Sequence, residues 1–482
     1  MRLAQAISAA KITGTLAAAI LGCKVIYALF FSPLRNIPGP FLARLTSLRA
    51  RLINATGKIG NTARKEYLQY GDVYVLEPNA VVVGDPSDAR VVLGSHAFVK
   101  SPFYEGMDAM GIQNTLSGRD PEFVKMRKRQ IGPYFNQAHM AKMEQTIINH
   151  GILSLKERWD SQLVQSANGK IEINYDRDFG LAAFDIIGSL AFGQEFNCLK
   201  NDDNTVMRWV DATVKLFGAH SMFHALRRFP GSLAVLSWQR QFDKFYKFGQ
   251  ECVARRKEFL AKGGEKPHDI LQGFLDAQDP ESKVQMTDTQ VQIEANIALL
   301  AGADTSSNTL KWTIHMLMLH PEILRKGDHV ITSAEVRKHL PYVEACLYEC
   351  LRVFPVVSGL FPRVSPPGGV TFKGHFIPAG TDIYVNFTAL GINKNAWEEP
   401  LKFDPHGVRI CPGRHMAWFE LHTIFANMLK DYDLSLPADY THLGPNVLDE
   451  SGYPKRMDSV NFLVTVPINA ARDCRLILTK HE

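Results

Sequence analysis

The chain of 482 residues is 46% hydrophobic, enough for a large core, and its formal net charge is only +5 at pH 7. So mild a basic excess excludes the dense cationic footprint of a nucleic-acid-binding protein. The seven cysteines, Cys23, Cys198, Cys252, Cys346, Cys350, Cys411 and Cys474, are odd in number, widely spaced and free of any CxxC pair. That pattern excludes a disulfide framework or a zinc ribbon and favours a reducing compartment.

Ile12 to Phe31 reads ITGTLAAAILGCKVIYALFF, twenty residues with one charge, Lys24. The length suits a spanning helix, and the long stem of Lys24 can snorkel. A cleaved signal peptide would carry a shorter apolar stretch ending in small residues. Arg35, Arg44, Arg49 and Arg51 follow the stretch, against Arg2 and Lys11 before it, so the bulk of the chain is expected on the cytosolic side. The N-x-T sequons at Asn54 and Asn386 would then stay unglycosylated. SPLRNIPGP, residues 32–40, reads as a stiff elbow. Residues 1–32 are thus an expected anchor and residues 33–482 one large unit, without a second linker or a repeat.

Short β-like pieces lie early, at 73–78 and 80–86, and late, at 369–385 and 460–466, with long helical patterns between them. The fold class is mainly α with small β-sheets. Thr287 and Gln290 form a capping-box pattern that opens an apolar-rich run to His320, where Pro321 stops it. Its middle reads ALLAGADTSSNTL, 298–310. Gly302 costs ~1 kcal/mol relative to alanine there, and the hydroxyls that follow can bend or open a helix. Gly302, Asp304 and Thr305 therefore read either as a groove for water or a small ligand, or as polar residues turned to solvent.

YECLRVFP, 348–355, places Glu349 and Arg352 at i and i+3 on a helix apolar enough to be buried. A buried pair of this kind fixes geometry, whereas an exposed one is worth only ~0–1 kcal/mol. Cys346 and Cys350, four apart on the same helix, read as a core face rather than half a metal site. The third stretch is HGVRICPGRHMAW, 406–418. Pro412 suits a first helical position and Gly413 admits close backbone approach, so Cys411 falls at a helix start that favours its thiolate. A thiolate there would call for a cation, such as iron in a macrocycle, whereas a lone cysteine otherwise reads as a small core residue.

AGADT on a long helix, then ECLR, then GVRICPG, in this order, resembles the cytochrome P450 superfamily of haem-thiolate monooxygenases over nearly the whole chain. The anchor and elbow resemble the microsomal type. FDIIGSLAFG (184–193) and FVKSPFYEG (98–106) resemble fungal members, some of which hydroxylate small aromatic compounds. The resemblance implies a cytochrome P450 fold, with haem b between the long central helix and a Cys-bearing loop and helix. Cys411 matches the axial ligand of the haem iron, and Gly407 and Gly413 are the motif glycines around it. Asp304 and Thr305 match the acid and alcohol of proton delivery, Gly302 the oxygen-groove glycine, and Glu349 and Arg352 the pair that fixes the haem-binding core. Arg409 and Arg363 match propionate-binding arginines. MRKRQ (126–130) resembles a helix adding another propionate contact, with the choice open among Arg127, Lys128 and Arg129.

The chain has no GxGxxG or P-loop cradle for a nucleotide. The resemblance implies electrons from NADPH through a membrane-bound cytochrome P450 reductase, with Arg414 and His415 either part of its docking face or a plain solvated helix start. The endoplasmic reticulum is the expected membrane. Segments 98–120, 205–235 and 295–305 are the expected pocket. Phe217, Met222, Phe223 and Phe361 favour a lipophilic guest if they line it, and are ordinary core residues if they do not.

One segment departs from the family pattern. KFDP (402–405) runs straight into HGVRIC, so the meandering loop before the cysteine is shortened, and Asp404 stands three before Gly407 where a phenylalanine belongs. The arginine that usually completes the Glu349–Arg352 cluster has no evident counterpart. Losing a partner of a buried pair costs ~3–5 kcal/mol. The rival expectations are therefore an inactive, haem-poor protein, or a haem-thiolate isomerase or dehydratase that needs no reductase. The retained Asp304–Thr305 pair argues against the isomerase.

Overall fold

The computed structural model describes residues 15–16, 19–320, 331–357, 361–397, 400, 414–462 and 464–481. They are mostly helical, with small sheets, and divide into two compact units: Met1–Ser101 with Leu360–Ala396, and Pro102–Gly359 with Trp397–Glu482.

The first unit is built on a four-stranded sheet in the order Val73–Glu77, Ala80–Val83, Asp382–Val385, Pro362–Val364. The first two strands pair antiparallel, Ala80–Val83 runs parallel to Asp382–Val385, and Pro362–Val364 closes the edge antiparallel. Both faces are buried, which is why VYVLE and AVVV read as near-continuous apolar runs. Val73, Val75, Val81 and Val83 face one cluster; Tyr74, Leu76, Ala80 and Val82 face the other, against Ile59 and Ala63 of the helix Ile59–Tyr70.

The proline-rich elbow is stitched to this sheet. The Val75 amide donates to the Pro38 carbonyl at 2.8 Å. Gly39 has φ of 150°, and a Cβ there would stand 2.9 Å from the Val75 backbone. Only glycine allows that approach. Upstream, residues 19–26 are helical and Tyr27–Phe31 forms a π-helical turn. The first part of the expected anchor, 12–14 and 17–18, lies outside the described residues. Among the described residues no helix is long and apolar enough to cross a membrane.

The second unit packs helices around one long member. We label α1 (Pro121–Ile131), α2 (Tyr175–Phe192), α3 (Thr205–Met222), α4 (Leu236–Ala261), α5 (Asp288–Leu319), α6 (Pro341–Val353) and α7 (Arg414–Asp431). Helix α5 opens on the expected capping box: Thr287 caps the Gln290 amide and the Gln290 side chain caps that of Thr287. Its 32 residues span roughly 48 Å at 1.5 Å per residue. It is buried along most of its length, packed by α2, α4, α6 and α7. Cys346 and Cys350 are buried in the core of α6. Among the described residues no group of three or more metal-ligating side chains is placed to hold an ion.

A three-stranded sheet of Lys170–Asn174, Arg475–Lys480 and Tyr432–Ser435, with Arg475–Lys480 central, was absent from the sequence expectation. Its strands are short and far apart in the chain, and only their pairing makes the pattern visible.

Candidate active site

On α5 the stretch 301–305 breaks the burial of the helix. Ala301 is exposed and Asp304 and Thr305 are half-buried, whereas Ser306, Ser307, Asn308 and Thr309 are all buried. The polar residues are therefore not a solvent face. Nor do the hydroxyls open the helix. Thr305 Oγ1 donates to the Ala301 carbonyl at 2.8 Å, Thr309 Oγ1 to that of Thr305 at 2.8 Å, and Asn308 Nδ2 to that of Asp304 at 2.7 Å. Each follows the i−4 path open to a short polar side chain in a helix.

Gly302 is buried, and a Cβ on it would stand 2.7 Å from Met416 Cε and 3.0 Å from Ile187 Cδ1. Its missing side chain lets α7 and α2 close on α5, and the open position is that of Ala301. Burial pushes the Asp304 carboxyl up to about 6, opposed by the positive charge of Lys311. That lysine is itself paired with Asp176 at 2.7 Å.

On α6 the Arg352 guanidinium meets the Glu349 carboxylate at two points, Nε to Oε2 at 2.7 Å and Nη2 to Oε1 at 2.6 Å. Both side chains are buried, so the exposed-surface reading falls away. Arg352 Nη1 also donates to the Pro400 carbonyl at 2.8 Å, and its guanidinium lies 4.8 Å from the centre of the Trp397 ring. A backbone carbonyl and an aromatic face thus stand among the groups around the pair. Neither carries a sequence signal, because Trp397 and Pro400 lie more than 40 positions from Arg352 in the chain.

The basic helix α1 sorts its three cations. Arg127 is buried and pairs with Glu294 of α5 at 3.2 Å, and burial pulls its guanidinium below the ordinary value. Glu294 also accepts the Thr115 amide at 3.1 Å. Arg129 is held by Asp279 at 2.6 and 3.0 Å. Lys128 is exposed, and among the described residues its ammonium has no ion-pair partner. Glu294, absent from the sequence reading, therefore decides which cation remains available. Arg363 sits half-buried on its edge strand in the first unit, with Nη1 donating to the Pro362 carbonyl at 3.2 Å.

Gly407, Arg409, Cys411, Pro412 and Gly413 lie outside the described residues, as does the shortened segment with Asp404. Arg414 opens α7. Among the described residues, the groups present are compatible with a haem: an open alanine on a buried helix for a flat ring, a buried two-point Glu–Arg pair, and an exposed cation on α1 for a carboxylate.

A cavity of about 600 Å³ lies among the loop at 105–119, α3, α4 and Arg227. Phe217 lines it with Leu216, Phe242 and Met110, while Met222 and Phe223 are not among its lining residues. Its rim is more polar than a purely lipophilic guest requires, with Arg119 paired to Asp108 at 3.1 Å and Arg227 to Glu105 at 3.4 Å.

A mainly helical fold around one long helix, an acid–alcohol step on that helix and a buried Glu–Arg pair are the described features that match the expected class of enzyme. A sequence model described as Cytochrome P450 matches residues 38–407. The cytochrome P450 monooxygenase helB1 of Aspergillus fumigatus is 39% identical, over 96% of this chain and 85% of its own. The cytochrome P450 monooxygenase helB2 of the same fungus is 39% identical, over 95% of this chain and 96% of its own. In structure, the haem domain of cytochrome P450DA covers 89% of this chain and 95% of its own, with a TM-score of 0.72 at 18% identity. The chain belongs to the cytochrome P450 family. It is a P450 monooxygenase and hence an oxidoreductase, and its family implies haem.

Proposed function

We propose that the chain inserts one oxygen atom from dioxygen into a lipophilic organic substrate, with electrons passed from NADPH by a separate cytochrome P450 reductase. Haem, when bound, supplies dioxygen activation, and thiolate donation favours O–O cleavage. In this reading Cys411 holds the iron, Gly407 and Gly413 admit the ring, and Arg409, Arg363 and Lys128 meet propionates. Lys128 takes that role over Arg127 because Arg127 is committed to Glu294. Asp304 and Thr305 hold and pass protons at the open side of α5, and Glu349 with Arg352 keeps the proximal segment in place.

The observation that carries the reading is the Asp304–Thr305 step beside Ala301, half-buried midway along a helix that is buried along most of its length. Residues 33–482 serve as the catalytic domain. The side chains of Leu16, Ile20, Leu21, Ile26, Tyr27, Phe30 and Phe31 are all exposed on the first segment, which supports a lipid contact for residues 12–31. The proposed setting is the endoplasmic reticulum membrane with the catalytic domain cytosolic.

The test is a reduced carbon monoxide difference spectrum of the purified full chain. The red-shifted thiolate band is expected for the wild type and lost in C411S. No haem uptake by the wild type would favour the inactive reading. A thiolate band with turnover that needs neither NADPH nor reductase would favour the isomerase reading.

A further inference from the structure

The cavity of about 600 Å³ beside α3 and α4 falls in the ~300–1,000 Å³ range of small-molecule sites. None of its lining residues belongs to α5, so it receives a guest away from the Asp304–Thr305 step. Its two ion pairs are unequal. Arg119 grips Asp108 with two nitrogens, at 3.2 and 3.1 Å. Arg227 meets Glu105 through Nη1 alone, at 3.4 Å, while its Nε donates to the His220 carbonyl at 3.0 Å. Its Nη2 is buried and, among the described residues, closes no hydrogen bond. A guanidinium carries five N–H donors, and a buried one left unserved is an exception in folded proteins. An oxygen on a guest takes up this fork for the loss of one long contact.

The lining sets the charge of that oxygen. Three carboxylates, Glu105, Asp108 and Asp243, stand against two guanidiniums, Arg119 and Arg227. Asp243 accepts from Gln239 Nε2 at 2.9 Å and, among the described residues, forms no ion pair. Burial, and then the Arg227 charge, hold the His220 imidazole below its ordinary value, so it adds no charge at neutral pH. An anionic guest would add to the negative excess, whereas a neutral carbonyl or hydroxyl accepts the hydrogen bond without that repulsion.

The rest of the wall is apolar, from Leu216, Phe217, Phe242 and Met110. Met110 has a φ of 53°, in the two-residue turn closed by Ala109 and Ile112, and is 64% exposed. A side chain other than glycine is strained in that region. Here it holds a flexible thioether at the edge of the cavity.

We propose that the cavity admits a neutral lipophilic molecule bearing a carbonyl or hydroxyl oxygen, with Arg227 as the residue that selects for that oxygen and Met110 as an apolar lip over the guest. The inference rests on the proposed function and deepens it by naming the chemical class of the substrate.

The experiment titrates the purified full chain with three fluorescent probes of one ring system: pyrene, 1-acetylpyrene and 1-pyrenecarboxylate. Wild type is expected to bind the ketone roughly tenfold more tightly than the hydrocarbon, the scale of one hydrogen bond to a charged group, and the carboxylate most weakly. R227L is expected to bring the ketone level with the hydrocarbon and to leave the hydrocarbon's affinity unchanged. R227K, which keeps the charge and a donor, retains part of the preference. E105Q lifts the negative excess and is expected to strengthen carboxylate binding by up to roughly fivefold, the scale of one part-exposed ion pair. M110G suits the turn and is expected to weaken all three probes alike.

A ketone preference that survives R227L unchanged would overturn the proposal, as would a carboxylate bound most tightly by wild type. Titrations of M110G identical to wild type would remove the lip. A wild type that lacks the thiolate band yet keeps an Arg227-dependent preference would sink the proposed function, and the guest's role as substrate with it, and leave the recognition standing.

Discussion

Arg352 grips Glu349 at 2.7 and 2.6 Å inside the fold, three residues away on one helix, and donates a further hydrogen bond to Pro400 at 2.8 Å. Removing either member leaves a buried charge without its main partner. E349A and R352A are each expected to lose ~3–5 kcal/mol of stability, measured by chemical unfolding. The double variant should lose less than the sum of the two, because the pair acts as one unit.

Arg127 and Lys128 are neighbours with opposite fates, and their alanine variants should separate cleanly. R127A strands Glu294 in the core and is expected to destabilise the fold by ~3–5 kcal/mol. K128A removes an exposed charge and should leave the unfolding midpoint unchanged. Haem titration of the purified proteins is expected to show K128A binding roughly tenfold more weakly or worse, the scale of one charged hydrogen bond.

Asp304 gives a pH signature. Its carboxyl is raised from 3.8 to about 6 by burial. The folded protein thus holds a proton that the unfolded chain releases earlier, so the contribution to stability is full below 3.8 and falls as pH rises through about 6. D304N stays neutral throughout. Thermal unfolding of the two proteins should show wild type falling relative to D304N over that window and running level beyond it. In the proton-delivery role, D304N is also expected to lose roughly 10²-fold or more in turnover.

Gly302 tests whether its missing side chain serves packing. G302A gains ~1 kcal/mol of helix propensity. Its new methyl meets the terminal carbon of Met416 at 2.7 Å, and that flexible end can swing away. The net change in stability should stay under ~1 kcal/mol. G302L pushes further into both Met416 and Ile187, which a Cβ alone already meets at 2.7 and 3.0 Å, and should cost ~1–3 kcal/mol by overpacking, read from the denaturant midpoint.

Much of this was legible in the chain because its signals are local. The Thr287–Gln290 capping box, the reach of the central helix and the i, i+3 spacing of Glu349 and Arg352 each lie within one element. The buried strands at 73–77 and 80–83 announce themselves as apolar runs for the same reason. The hydroxyls at 305 and 309 bond to carbonyls one turn back, within the same helix.

By itself, then, the sequence determined the family, the helical class and the pairings that one helix can make alone. Tertiary structure decided the rest. It chose Lys128 as the available cation by bringing Glu294 to Arg127, more than 150 positions away. It raised the Asp304 carboxyl by burial and put Pro400 and Trp397 beside Arg352. The physical reason is that charge and hydrogen bonding are settled by burial and by which distant groups share a dry interior, and neither is a property of neighbouring residues in the chain.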